Sequence, residues 1–332
     1  MRRIGENANQ GIAASARGIE LACRYFWEVG LPALEAHFPA YVDRIAAGLI
    51  AAGSDCSGND DEISRDCDWG PRFQAFLTPD DHASISCELQ TTLDELPTMY
   101  EGSRCCPSGA SSNPVHSIDD FFLCHTACGQ SGGFTSAPDA PIDWLKIPEP
   151  CLFELTHGQV FYDPLGELSD RRQSFAVYYP DDAWKRRLAE ALFACGRYGQ
   201  NVLPRAIARD DYYTSQIAWW RFVDSAMKVG FLLNRRYAPV TKWLYREFCK
   251  LPELSVDVVN CLWDGQGELL GRPDLVTRIA SAYDEKLERL GVLQSIATSS
   301  PQSFKMRAED VAAGIVDPEI AELAWPADIA AE

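Results

Sequence analysis

Apolar residues recur near helical spacing through residues 12–37, where Ile19, Cys23, Phe26, Val29 and Leu34 share a face. That period predicts an amphipathic helix. Residues 45–52 are continuously apolar and end at Gly53, the signature of a buried strand. The polar, acid-rich residues 54–65 follow as a loop, and a second strand is expected over 66–77. Residues 80–96 read as a helix opened by Asp80 and Asp81 and closed before Pro97. Gly, Ser, Pro and Cys make 101–114 a loop, a short strand–helix piece follows at 115–128, and 129–141 is a second loop. Residues 151–156 and 159–163, joined around His157-Gly158, are expected to pair as a β-hairpin. Beyond Pro180 the period turns helical, over 181–199, 210–235, 238–250, 255–263 and 271–290. The Pro- and Ala-containing tail is expected to be only partly ordered. No internal repeat is visible.

The pattern divides the chain into an α/β half, 1–180, and a helical half, 181–332. A length of 332 residues agrees with two domains. Composition adds a charge argument. The chain carries 30 basic and 48 acidic side chains, a net charge of −18. So acidic a surface argues against sequence-independent binding of nucleic acid and against docking to an anionic membrane. The charge is uneven: residues 182–250 hold 13 basic and 6 acidic side chains. A basic half facing an acidic one is what a metal–polyphosphate site needs. No apolar run reaches the ~20 residues of a membrane span, and the polar start Met-Arg-Arg-Ile-Gly-Glu-Asn lacks the apolar stretch of a signal peptide. A cytoplasmic location is expected. The 12 cysteines then read as free thiols. Cys105, Cys106, Cys124, His125 and Cys128 could be weighed as a zinc set, but the spacings are loose and contain no Cys-x-x-Cys pair.

Candidate chemistry concentrates in residues 53–70, which hold six carboxylates and one arginine. On a strand, Asp66 and Asp68 would project to the same face. Two carboxylates that close repel unless a divalent cation lies between them, and Mg²⁺ is a hard, oxygen-seeking ion that suits such a pair together with substrate phosphates. Gly53 allows close backbone approach, and the hydroxyl of Ser54 with nearby N–H groups can hold phosphate oxygens. Arg72 could pair with the acidic loop and orient it. His116, His125 and His157 have no nucleophile or carboxylate at a telling spacing and read as structural or surface residues.

A Gly-Ser, a gap of eleven residues and an Asp-x-Asp resemble the nucleotidyltransferase superfamily that includes DNA polymerase β and the antibiotic adenylyltransferases. Closer still is the resemblance to a bacterial family of that superfamily, the domain of unknown function 4037. It is carried by Gly58-Asn59-Asp60-Asp61-Glu62-Ile63-Ser64-Arg65-Asp66-Cys67-Asp68-Trp69-Gly70-Pro71-Arg72, by Gly158-Gln159-Val160-Phe161-Tyr162-Asp163-Pro164-Leu165-Gly166, and by Arg235-Arg236-Tyr237-Ala238-Pro239-Val240-Thr241-Lys242-Trp243. It runs in order from about residue 15 to 290. The chain departs from the family at Cys67, where histidine is usual, and at Asn59, where an aromatic residue is typical.

The resemblance implies an α/β (α+β) fold: a nucleotidyltransferase-type mixed sheet with flanking helices over 1–180, followed by a helical-bundle domain over 181–332. It implies a transferase moving NMP, AMP from ATP in the first instance, onto a hydroxyl or similar group of a small molecule or protein. Two Mg²⁺ ions ~3.5–4 Å apart would be held by Asp66, Asp68 and a third carboxylate. Asp163 is the first choice for that third ligand and Glu154 the alternative. Gly53, Ser54, Arg236 and Lys242 would hold the nucleotide. The competing readings are a catalytically silent nucleotide-binding or regulatory protein of the same fold, and a protein-interaction module.

Overall fold

A computed structural model describes residues 18–51, 53–66, 69–105, 112–129, 132–265, 269–293 and 303–326. The chain forms two compact units: Met1–Ser136 with Glu154–Ala176, and Ala137–Phe153 with Val177–Glu332. Residues 137–153 lie in the second unit because Arg187 donates to the carbonyls of Leu145 and Ile147, and Trp144 packs edge-on against Tyr179.

The first unit opens with α1 (Gly18–Tyr25), which passes through a π-helical turn, Phe26–Gly30, into α2 (Leu31–His37). Pro32 explains the wide turn, since proline cannot donate the i→i−4 bond and its ring crowds the preceding turn. The central strand β1 (Ala46–Ile50) is buried along its whole length. β2 (Gln74–Leu77) pairs antiparallel with it and leads into α3 (Pro79–Asp94). Thr78 caps α3 by accepting from the Asp81 N–H, with Pro79 at its start. A small hairpin, β3 (Met99–Tyr100) with β4 (Ser103–Arg104), precedes β5 (Val115–Ser117) and α4 (Ile118–Ala127). β5 runs parallel to β2. The short α5 (Pro141–Trp144) belongs to the second unit, and α6 (Glu149–Thr156) begins there. β6 (Gly158–Tyr162) adds antiparallel to the other edge of β1, and α7 (Glu167–Ala176) follows. The sheet order is β5-β2-β1-β6. Tyr25, Phe26, Phe73, Leu77, Leu89 and Leu93 fill the core between helices and sheet.

The second unit is helical. α8 (Asp181–Cys195) passes through a π-helical stretch, Gly196–Val202, into α9 (Leu203–Ile207), again just before a proline, Pro204. α10 (Tyr212–Leu233), α11 (Thr241–Phe248), α12 (Ser255–Asp264), α13 (Arg272–Leu290), α14 (Phe304–Ala313) and α15 (Pro318–Ala321) complete it. Trp184 is fully buried in α8 and donates its indole N–H to the Leu232 carbonyl, and Tyr283 likewise donates to Ala226. No helix among the described residues is long and apolar enough to cross a membrane.

A mixed sheet with flanking helices followed by helices is the expected architecture, with three local corrections. The second strand begins at Gln74 rather than at residue 66, because Gly70 adopts φ +113° and Pro71 has no N–H to give a ladder. The expected hairpin over 151–163 keeps only its second strand. Residues 151–156 lie in α6, where Leu152 and Leu155 bury fully at helical spacing, and β6 pairs with β1 instead. The tail contains α14, capped by Ser303 and anchored by a two-bond ion pair from Arg307 to Asp284 of α13, at 2.9 and 3.1 Å.

Gly158 shows how tightly β6 approaches β1: it sits at φ +88°, and a Cβ there would meet the Leu49 carbonyl oxygen at 2.2 Å. Gly158→Ala is expected to lower stability by about 1–3 kcal/mol, read as a lower thermal midpoint. Gly166→Ala, also at positive φ but with open space around it, should lose less. Equal losses would show that the contact between the strands imposes no constraint.

Candidate functional site

The turn after β1 is built from its own backbone outward. The Ile50 N–H leaves the strand ladder and donates to the Gln74 side chain at 2.9 Å, and Ala51 takes a left-handed φ of +66°. Gly53 follows at φ +112°, a conformation that favours glycine. Asn59 N–H then donates back to the Ser54 carbonyl at 2.8 Å, Gly58 N–H to that of Asp55 at 3.2 Å, and Gly158 N–H of β6 to that of Cys56 at 2.9 Å.

Beneath the turn, Arg72 grips Asp55 through two bonds, Nη1 to Oδ2 at 2.7 Å and Nη2 to Oδ1 at 3.0 Å. The Asp55 side chain is wholly buried and that of Arg72 nearly so. Asp55 Oδ1 also accepts from the Cys56 N–H. Burial pushes the Asp55 carboxyl upward, and the guanidinium works against it. The sequence expectation that Arg72 would pair with the acidic loop is met here. Two more of the loop's carboxylates have structural partners. Asp60 Oδ2 accepts from the N–H of Gly18, at the start of α1, and from the Trp69 indole. Asp61 Oδ1 accepts from both the N–H and the hydroxyl of Ser64.

Ser54 is different. Its residue is 8% exposed, yet its hydroxyl oxygen is buried with no hydrogen-bond partner among the described residues. A buried hydroxyl left unpaired is costly, on the order of 1–3 kcal/mol, and such groups in native structures call for an explanation.

The remaining sequence candidates fall as follows. Asp66 ends a 3₁₀ turn, Ile63–Asp66, and not a strand; Asp68 lies outside the described residues. The alternation argument that paired them therefore has no strand to act on at Asp66. Asp163 caps α7, its two oxygens accepting from the N–H groups of Gly166 at 3.1 Å and Ser169 at 2.8 Å. Glu154, on the last turns of α6 rather than a hairpin strand, is half-buried, and its carboxylate has no hydrogen-bond or ion-pair partner among the described residues. Burial pushes its carboxyl upward. It lies near the acidic loop: burial first, and then the charges of Asp55, with a smaller share from Glu154, push the Cys56 thiol upward. Arg236 and Lys242 belong to the second unit and are exposed. The Arg236 carbonyl accepts from the Tyr178 hydroxyl, and the Lys242 ammonium sits 4.9 Å from the Trp243 ring centre.

His116 packs among Phe76 and Phe121, and burial lowers its pKa to about 4. The His125 ring lies 4.2 Å from that of Phe121. Both rings pack against aromatic side chains. Cys106 lies outside the described residues; among those described, no group of three or more His, Cys, Asp or Glu side chains could hold a metal ion. Sequence reasoning did not single out Asp55, whose partner lies 17 residues away.

Breaking the buried pair should be far worse than replacing it. Arg72→Ala is expected to cost about 3–5 kcal/mol in denaturant unfolding by stranding the Asp55 charge, whereas Asp55→Leu with Arg72→Met should recover most of that loss. A single mutant as stable as the double would show that the pair does not organise the turn.

Residues 144–244 match the family model described as "Domain of unknown function (DUF4037)". No curated protein matches the chain. Among solved structures, the chain is similar to the crystal structure of a nucleotidyltransferase-like protein from Exiguobacterium sibiricum 255-15, with 9% sequence identity, 86% of this chain and 90% of that chain covered, and a TM-score of 0.37. The DUF4037 match contains two of the segments that carry the resemblance in the sequence, 158–166 and 235–243, and stops short of the acidic loop. Across residues 144–244, then, the chain carries the pattern of the DUF4037 family.

Proposed function

We propose that the protein is a divalent-metal-dependent nucleotidyltransferase that moves NMP, AMP from ATP in the first instance, onto a hydroxyl of a small molecule or protein. The observation that carries this reading is the Ser54 hydroxyl, buried and unpaired on the glycine turn that leaves the central strand. A phosphate oxygen is the partner such a hydroxyl lacks, and the turn's geometry is set before any ligand arrives because Arg72 holds Asp55 from below. The spacing of Gly53-Ser54 to Asp66-x-Asp68 and the DUF4037 match support the same reading.

The acids of the loop divide by what they already hold. Asp55, Asp60 and Asp61 are engaged by protein donors, and the Asp-x-Asp spacing, not the pairing, makes Asp66 and Asp68 the hard oxygen donors for Mg²⁺. Glu154 suits the third place better than Asp163, since it has no protein partner while Asp163 spends both oxygens on the start of α7. Bound by these carboxylates, Mg²⁺ would neutralise phosphate charge and acidify an acceptor hydroxyl. The chain's own residues act by positioning: the Ser54 hydroxyl and the adjoining backbone hold the phosphates, as in phosphoryl transfer generally. A bond forms from the acceptor oxygen to the α-phosphorus, the bond from that phosphorus to the bridging oxygen breaks, pyrophosphate leaves, and the acceptor's proton passes to solvent.

ATP with Mg²⁺ at one hundred times its Kd should stabilise the fold by about 2.7 kcal/mol, read as a rise in Tm. Asp66→Asn with Asp68→Asn should remove the rise. Ser54→Ala should make the protein without nucleotide slightly more stable, by about 1 kcal/mol, while weakening its response to ATP. Absence of any metal-dependent nucleotide shift would overturn the proposal. Pyrophosphate release with transfer of label from ATP separates an enzyme from a silent nucleotide binder.

A further inference from the structure

The helical unit contains a cavity of about 1060 Å³ that the nucleotide reading does not use. Pockets of roughly 300–1,000 Å³ are the usual range for small-molecule sites. Its walls are successive turns of two helices, Arg187 to Ala194 on α8 and Gln216 to Lys228 on α10, closed by Glu149 at the start of α6 and by the entry to α11. All the lining residues but Pro326 fall within the DUF4037 match.

The cavity's formal charge is balanced, with Arg187, Arg221 and Lys228 against Glu149, Glu190 and Asp224. The pairing is not. Glu190 is taken by Arg186, which does not line the cavity, at 2.7 Å, and Asp224 is taken by Lys228 at 2.7 Å. Neither remaining guanidinium has a carboxylate partner among the described residues. Arg187 donates to two main-chain carbonyls and faces the Tyr179 phenol, with its Nε buried and without a hydrogen-bond partner among the described residues, and Arg221 donates to the Tyr198 hydroxyl. Glu149 lines the same cavity, accepts from the Ala238 N–H and has no cation within ion-pair distance among the described residues. Beside these charges Trp220 and Ile217 are more than half exposed and offer a flat apolar wall.

We propose that this cavity is a binding site for a small organic oxyanion, a carboxylate or phosphate on a planar apolar body. The anion meets Arg187 and Arg221, in keeping with the preference of guanidinium for such groups, and the body lies along Trp220 and Ile217. Every lining side chain belongs to the second unit, so the site stands independently of nucleotide transfer.

Glu149 gives the site a pH signature. Burial raises its carboxyl to about 7, against the Ala238 N–H and the charges of Arg187 and Lys228. The other titratable groups facing it are the phenols of Tyr178, Tyr179 and Tyr237, all raised by burial and neutral near pH 7. Below pH 7 Glu149 is protonated and the cavity loses its one unpaired negative charge; above it, that charge opposes an anion.

The test is calorimetric titration of the full chain with 2-naphthoate, 2-naphthyl phosphate and 2-naphthylmethylamine, one ring system carrying three head groups. One or both anions should bind at least about ten-fold more tightly than the amine, and their relative strength separates carboxylate from phosphate as the source of the oxyanion. Binding of 2-naphthoate, whose own charge is constant over this range, should tighten by about five-fold from pH 8 to pH 6. Glu149→Gln should bind 2-naphthoate at pH 8 as the unaltered chain does at pH 6 and lose the pH dependence. Arg221→Gln and Trp220→Ala, both at exposed positions, should weaken binding without lowering Tm. The Ser54→Ala chain should bind the anions unchanged, which keeps this result separate from that of the nucleotide site. Binding of the amine as tight as that of the anions, no measurable binding of any of the three, or anion binding indifferent to Arg221→Gln would overturn the proposal.

Discussion

The buried ion pair between Asp55 and Arg72 is the constraint around which the first unit's candidate site is arranged. A charge taken so far out of water is tolerated only when its partner is held in good geometry, and both carboxylate oxygens are matched by guanidinium nitrogens. The pair ties the turn after β1 to the segment entering β2. The Cys56 carbonyl then meets β6, and Asp60 meets the start of α1. Four parts of the chain thus converge on a turn of a few residues. A turn held that firmly can keep one hydroxyl, that of Ser54, out of water without a partner.

The second unit uses its charges differently. Trp184 and Tyr283 lock helices together through indole and phenol bonds to carbonyls on α10, and Arg307 with Asp284 fastens α14 to α13. With the packing secured elsewhere, the facing turns of α8 and α10 need not close on each other. The cavity between them keeps two guanidiniums that have no carboxylate partner among the described residues: Arg187 ties the Leu145 and Ile147 carbonyls to α8, and Arg221 lies against Tyr198.

Elements with a strong period or clear punctuation were legible from sequence. The helix from residue 18 to 37, β1, α3 after Thr78-Pro79, the β5–α4 piece and the long α10 all lie where periodicity puts them. The misreadings have local causes. The run Cys151 to Thr156 is short and apolar, and such runs suit strand and helix alike; burial of Leu152 and Leu155 decided for helix. The expected second strand stretched across Gly70-Pro71, two residues that break a ladder. α14 went unread because Arg307 looks like a surface residue until Asp284 is placed against it. At the candidate site, the glycine turn after β1 and the pairing of Arg72 with the acidic loop were legible. That Asp163 spends both oxygens on the start of α7, and that the Glu154 carboxylate has no partner among the described residues, was not, because the first needs the start of α7 to be known and the second needs residues 151–156 to be helix rather than strand.

Alone, the order of residues determined the division into an α/β part and a helical part, the apolar central strand, the Gly-Ser turn and the gathering of acids behind it. These are properties of neighbours along the chain, governed by period, propensity and turn chemistry. Which acids are already engaged by a guanidinium or an N–H, which hydroxyl is left without a partner, and which arginines face open space were decided only by tertiary structure. Burial and pairing depend on groups distant in sequence, and no local pattern encodes their meeting.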